Sequence, residues 1–301
     1  MVLTTATPPA DEYNSSMHPS SSQAKEMADE SMVRNLAAQA EAIWPQEEPI
    51  FLRHPPAGRV LDVGCGTGEI TARLAATFPD ASFVGIDLEE PHLERARARC
   101  AEFGNRVRFQ IGDALALPFD DASFDYVVCR HLIQAVPDAA RVLNEIRRVL
   151  RPGGRVHVIA EDYGMLLCHP TNLDSDGFWQ RLPPRYAAGV GCDLHVGRKT
   201  FTLLHDLGMT DIAADYIVVD TLRVERDTFA RIWEAWRDGY TDSIVEKAGI
   251  PRDEVERRWR EMIACVRDPR GYALWQVPVW TAMKRVIPIA EEREGSRASV
   301  R

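Results

Sequence analysis

Apolar and polar positions follow two different periods along this chain. Short apolar runs near 59–63, 82–86, 106–110, 124–129 and 155–160 read as buried strands. Between them, near 69–77, 90–103 and 137–150, apolar residues recur every three or four positions, which is the spacing of a helix with one buried face. In the second of these, Leu93, Ala96, Cys100 and Phe103 share a face, with Glu94, Arg95, Arg97 and Arg99 around it. Pro152-Gly153-Gly154 stops the third helix. Strand and helix in strict alternation predict an α/β domain with a doubly wound, mostly parallel sheet.

The flanks are less regular. Residues 1–22 are rich in Thr, Pro and Ser and read as a disordered arm, in which Tyr13 and Met17 are the main bulky groups. From 23 to 44 a helix is expected, with Ala28, Met32, Leu36, Ala40 and Ile43 on one face and Pro45 limiting its extension. After residue 161 the alternation ends in a long Gly- and Pro-containing connection, 162–198, that carries Phe178-Trp179. A helix over 200–207 with Gly208 as its cap, a strand near 215–219, two helices over 228–240 and 253–266, and a last strand pair or one long strand over 272–283 complete the reading. Residues 23–288 are thus expected to form one domain, with cap or lid elements at 23–45, 162–198 and 227–269, and 289–301 a polar tail.

Composition narrows the class. With 301 residues, 45% hydrophobic and 27% charged, the chain has the make-up of a soluble globular protein with a substantial core. A formal charge of −9 argues against a surface that tracks phosphates, so no nucleic-acid partner is expected. No apolar run reaches membrane-spanning length and no secretory leader is evident, so the expectation is a cytoplasmic protein without a membrane partner. The six cysteines are scattered without a C-x-x-C pair, and the histidines show no metal-ligand spacing, so neither a disulfide framework nor a metal site is expected.

The stretch with chemical content is Val60-Leu61-Asp62-Val63-Gly64-Cys65-Gly66-Thr67-Gly68, a strand running into a glycine turn and then a helix. Alternate glycines turn the backbone tightly and remove the Cβ atoms that would keep a ligand away, and the following helix points its amides at the same spot. About twenty residues on, Asp87 closes the second strand, where doubly wound folds hold a ribose diol. The spacing is not the G-x-G-x-x-G of pyrophosphate-binding folds, which disfavours a nicotinamide oxidoreductase.

On these residues the chain resembles the class I S-adenosylmethionine-dependent methyltransferases. Val60–Ile70 is similar to their first motif, Val84–Leu88 to the second, Gly112-Asp113-Ala114 to the third, and Leu150 to Gly154 to the turn before their fifth strand. The resemblance runs from Arg59 to Glu161 and implies a Rossmann-like sheet of about seven strands, with an antiparallel edge hairpin, an N-terminal cap helix and a helical insertion between the last two strands. It implies S-adenosylmethionine as cofactor, held by the loop Gly64, Cys65 and Gly66. Asp87 would take the ribose hydroxyls, Leu88 would flank the adenine, and Asp113 and Ala114 would bind its edge. Asp62 would orient the loop or reach the methionine ammonium, and Arg130 would meet its carboxylate or close the site through its backbone.

Ordinary alternatives stand beside these roles. Asp87 could cap a helix, and Asp62 and Asp113 could serve only their own turns. At strand ends, His131 and Glu161 are candidate proton acceptors; a packing role for His131, and an ion pair between Glu161 and an arginine such as Arg130, are the alternatives. Tyr163 could stack on the methyl acceptor. Trp233 and Trp236, at helical spacing on the insertion, are further candidates to bind the acceptor, since their faces would suit an apolar, aromatic or cationic group, although such a stripe is more often core than binding face. The function expected is methyl transfer to an oxygen or nitrogen of a small-molecule acceptor, with a homodimer as a further expectation. Protein or peptide methylation, and an inactive cofactor-binding partner protein, are the competing readings.

Overall fold

The computed structural model describes residues 30–172 and 175–286. Five strands, β1 (Arg59–Val63), β2 (Ser82–Asp87), β3 (Val107–Ile111), β4 (Phe124–Arg130) and β5 (Leu150–Ile159), pair in parallel in the order β3-β2-β1-β4-β5. The central strands β1 and β4 are buried along nearly their whole length because both faces of the sheet are covered, whereas β3 at the edge is mostly exposed. Helices α1 (Glu30–Arg53), α2 (Glu69–Thr77), α3 (Glu90–Arg99) and α4 (Ala139–Val149) lie around it. The last is the most sharply two-faced: Val142, Leu143, Ile146 and Val149 are buried, and the Asp138 side chain caps its start by accepting the Arg141 N–H.

The order in which strands are added reverses at β1: β2 and β3 lie on one side of it, β4 and β5 on the other. Val63 lies opposite Ile86 and Cys129 in register, so the segments leaving β1, β2 and β4 all emerge at one end of the sheet. That crevice is where ligands lie in doubly wound folds.

Beyond β5 the chain adds β6 (Leu166–His169), α5 (Ser175–Val190), α6 (Thr200–Asp206), β7 (Met209–Asp220), α7 (Arg226–Ala248), α8 (Arg252–Arg267) and β8 (Tyr272–Lys284). The thirteen-residue β8 runs antiparallel to β5 and then β6 along one edge, and to β7 along the other. The sheet therefore has eight strands, one more than expected, and 272–283 is a single long strand. Helices α7 and α8 lie between β7 and β8 in sequence and build a second core with α5, around Trp179, Trp233, Trp236, Trp259 and Trp275.

Two expectations need correction. Pro45 does not end the first helix: α1 continues through Pro45 and Pro49 to Arg53. Tertiary contacts override the proline penalty. Phe51 is fully buried beyond the prolines, and Gln46 donates to the Val218 carbonyl (2.9 Å) and accepts its N–H (3.1 Å), occupying backbone groups of β7. Nor is 162–198 a plain connection, since it holds β6 and α5, in which Pro183-Pro184 hides a helical spacing of Trp179, Leu182 and Tyr186. The expected arm over 1–22, the start of the helix at 23–29 and the tail over 289–301 lie outside the described residues. Among the described residues, no helix is long and apolar enough to cross a membrane.

Candidate active site

The glycine turn is built by its neighbours. Gly64, Gly66 and Gly68 all have positive φ (72°, 52° and 74°), which only glycine adopts without strain. The Gly64 and Cys65 N–H groups both donate to the Ile86 carbonyl (2.9 Å each), pinning the loop to the end of β2. The Asp87 carboxylate holds it from above, with Oδ2 accepting the Gly66 N–H (2.8 Å) and Oδ1 the Glu89 N–H (3.1 Å). A Cβ on Gly66 would fall 3.0 Å from Leu36 Cδ1 on α1, so the glycine keeps open the space between loop and cap helix.

A cavity fills that space, lined by the loop from Gly64 to Thr67 and by Leu36, Asp62, Asp87, Leu88, His92, Arg130 and His131. Asp62 is buried, accepts the Thr71 hydroxyl (2.6 Å), and is pushed up to about 6 by burial, against the pull of that hydroxyl and of Arg130. Asp113 and Ala114 are not among the lining residues; Asp113 Oδ1 accepts the Leu115 N–H (2.8 Å) in its own turn.

Arg130 owes its place to a residue the sequence reading left unassigned. Glu47, between the two prolines of α1, is fully buried; its Oε1 accepts from Arg130 Nε (2.8 Å) and faces His157 Nε2 (2.9 Å). Burial opposes its ionisation, but Arg130 and His157 outweigh burial and bring it down to about 2. Phe51 stacks on His157 with ring centroids 4.0 Å apart. Arg130 Nη2 is buried and has no hydrogen-bond partner among the described residues. A buried guanidinium nitrogen at a cavity wall fits a carboxylate brought by a ligand.

Just past the end of β4, His131 takes a left-handed backbone (φ 52°), uncommon outside glycine although histidine, like asparagine and aspartate, enters it more readily than most residues. Its Nδ1 lies 2.6 Å from Glu161 Oε1 and both side chains are buried. Glu161 thus pairs with His131, while Arg130 pairs with Glu47. With its Nδ1–H held by a carboxylate, a neutral imidazole presents Nε2 as an acceptor; that atom is buried and without a partner among the described residues.

His131 lines a second, smaller cavity, with Asn35, Gln39, Gln134, Glu161 and Tyr163 among its walls. Through Tyr163, Trp236 and Tyr240 this cavity adjoins a third, an apolar chamber completed by Trp179, Leu182, Tyr186, Leu194, Ile244 and Trp259. The Tyr163 ring lies 5.5 Å from that of Trp236 and 6.0 Å from that of Trp179. Burial, with the Glu161 carboxylate adding to it, raises the Tyr163 phenol well above its ordinary value, so it stays protonated. The two tryptophans of the insertion part here: Trp236 lines the chamber, whereas Trp233 is core, fully buried and 4.6 Å from Phe229 between ring centroids. No cluster of His, Cys, Asp and Glu that could hold a metal occurs among the described residues.

Comparison with known proteins bears on this crevice. Residues 60–154 match the family model of a methyltransferase domain. Among curated proteins, the chain is similar to the 27-O-demethylrifamycin SV methyltransferase of Amycolatopsis mediterranei, with 42% identity over 120 residues, 39% of this chain and 43% of that protein. It is also similar to the demethylmenaquinone methyltransferase of Roseiflexus castenholzii, with 36% identity over 154 residues, 50% of this chain and 61% of that one. The chain spans about half the length of these relatives. In fold it is similar to the phosphoethanolamine N-methyltransferase 2 of Haemonchus contortus solved with S-adenosyl-L-methionine, with a TM-score of 0.54, 21% identity, and coverage of 89% of this chain and 59% of that one.

The buried Glu47–Arg130 pair yields a prediction. Glu47→Gln leaves a buried guanidinium without its counter-charge and should cost about 3–5 kcal/mol at neutral pH, read by urea unfolding. The group's pKa is lowered by folding, so its stabilisation is present above the ordinary carboxylate range and lost as pH falls toward about 2. The wild type should therefore lose more stability on acidification than the variant.

Proposed function

Because the chain carries a methyltransferase domain of the class I S-adenosylmethionine-dependent superfamily, we propose that it methylates a hydroxyl oxygen on an apolar, aromatic small molecule. The observation that carries this reading is the sequence of three adjoining cavities. One is framed by the glycine loop, the next by the His131–Glu161 pair, and the last by aromatic rings.

The loop cavity suits S-adenosylmethionine. Each Asp87 oxygen keeps a lone pair beyond its backbone bond, enough for two ribose hydroxyls. Leu88, 57% exposed, offers an apolar flank for the adenine. Arg130 Nη2 would meet the methionine carboxylate and Asp62 its ammonium. Asp113 and Ala114 would reach the adenine edge only after their turn shifts toward the cavity. When bound, the cofactor supplies a methyl group on a sulfonium sulfur, whose transfer breaks the C–S bond and leaves the electron pair on sulfur.

The chain's own task is alignment, exclusion of water and handling of one proton. An alcohol or phenol keeps its proton at neutral pH, so its oxygen needs a base as it attacks. His131 Nε2 takes that proton, and Glu161 steadies the imidazolium that results. The strained backbone at His131 is consistent with a side chain held in place for function. The chamber selects an uncharged aromatic body through Tyr163, Trp179, Trp236 and Trp259. The names of the relatives support the class, since one methylates an oxygen of a demethylrifamycin and another a demethylmenaquinone.

Two measurements test this. With labelled S-adenosylmethionine and a panel of phenols and naphthols, His131→Asn and Glu161→Gln should each lower kcat by roughly 10²–10⁴ while cofactor affinity stays near that of the wild type. Equal turnover in wild type and both variants would remove the base from the mechanism. The second concerns Asp62. Folding raises its pKa, so on its own account stability is present at low pH and falls as pH rises through about 6. Binding the cofactor's ammonium favours the ionised form, so near pH 6 binding should release about half a proton. Calorimetry in buffers of different ionisation enthalpy reads this release, and Asp62→Asn should abolish it.

A further inference from the structure

The middle cavity holds more polar capacity than proton transfer needs. Asn35, from α1, is 2% exposed, and Gln134, from the turn after β4, is 5% exposed. Both line this cavity, and neither Asn35 Oδ1 nor Gln134 Oε1 has a hydrogen-bond partner among the described residues. Leaving a buried amide oxygen unpaired costs about 1–3 kcal/mol, and such groups in a folded protein call for an explanation. Elsewhere the walls toward the chamber are aromatic or aliphatic. Two costly acceptors have thus been placed at the one point where an acceptor molecule passes from the aromatic chamber to His131.

We infer that Asn35 and Gln134 form a second recognition point, which receives a hydrogen-bond donor of the acceptor other than the hydroxyl being methylated. The inference rests on the methyl-transfer reading and narrows it. The substrate class is an aromatic body bearing two donor groups, a diol or an amino alcohol, rather than a simple phenol.

The chemistry follows from counting atoms. His131 Nε2 is the acceptor for the reacting hydroxyl. Asn35 Oδ1 and Gln134 Oε1 accept as well, and a ligand with one hydroxyl has no second proton to offer them. A second hydroxyl offers its one proton to either amide oxygen or shares it between them, and an amino group offers one proton to each; both leave the apolar ring in the chamber. A site that hydrogen-bonds a substrate hydroxyl rejects the analogue lacking it far more strongly than an apolar pocket rejects a missing methylene, because the site's buried groups are then left unpaired. Asn35 and Gln134 are therefore specificity residues. Asn35 belongs to the cap helix and Gln134 follows the base by three residues, so the recognition point is shared between that helix and the turn that carries the base.

The test compares a naphthol with a set of naphthalenediols, on the full chain with S-adenosylmethionine. Binding is followed by quenching of tryptophan fluorescence, and turnover by labelled methyl transfer. In the wild type the best diol should bind at least about tenfold tighter than the naphthol and show a kcat/KM ratio of about 30 or more in its favour. In Asn35→Leu and in Gln134→Leu that ratio should fall, and in the double variant approach one. Both leucine variants should also melt at or above the wild-type temperature without ligand, since an unpaired polar atom is replaced by an apolar one. Equal binding of diol and naphthol by the wild type would overturn the inference and leave the methyl-transfer reading intact, as would a preference for diols that both variants retain. Binding of diols over naphthol with no methylated product would support the recognition point and count against the methyl-transfer reading. Failure of both probe classes to bind would overturn the inference.

Discussion

A carboxylate with no exposed surface, Glu47, sits between a guanidinium on β4 and an imidazole on β5. Burying an ion is expensive, and the cost is tolerated only where partners are close and fixed. Here the partners belong to the cap helix on one side and to the two strands that end at the crevice on the other. The pair therefore sets the height of α1 above the sheet, holds Arg130 at the cavity wall, and keeps Leu36 over the glycine loop. Asn35 and Gln39, twelve and eight positions earlier on the same helix, are carried into place by the same anchor.

From that anchor the site has a simple layout. The glycine loop and Asp87 frame one cavity, the His131–Glu161 pair borders the next, and the insertion helices close the third with aromatic rings. The charged and titratable groups stand at the first two and the apolar surface at the last. Such a gradient suits a reaction in which a cationic cofactor and an uncharged acceptor meet end to end in a water-excluding space.

The parallel half of the fold was legible in the sequence because strand and helix periods there do not compete. Runs such as Val60–Val63 and Phe83–Ile86 are buried on both faces, and the glycines between β1 and α2 have a conformational reason that no other residue supplies. The glycine loop, Asp62, Asp87, Arg130 and His131 line one cavity, as their places at the ends of β1, β2 and β4 lead one to expect. What failed was prolines read as breakers. Pro45 and Pro49 sit in a helix held by Phe51 and Glu47, and Pro183-Pro184 in one held by Trp179 and Tyr186; in both, long-range packing outweighs the local rule. Glu47, Asn35 and Gln134 were missed because their meaning lies in partners far away in sequence, or in the lack of any. Trp233 and Trp236 share a helical spacing, and only the position of α7 against the chamber separates core from wall.

The central claim is that the glycine loop and Asp87 hold S-adenosylmethionine. Calorimetric titration of the wild type and of Asp87→Ala with S-adenosylmethionine and with its demethylated product tests it most directly. The account predicts saturable binding of both ligands by the wild type, weakened by roughly tenfold or more in the variant, where two charge-assisted hydrogen bonds are lost. Absence of binding by the folded wild type, or equal affinity in the two proteins, would contradict it.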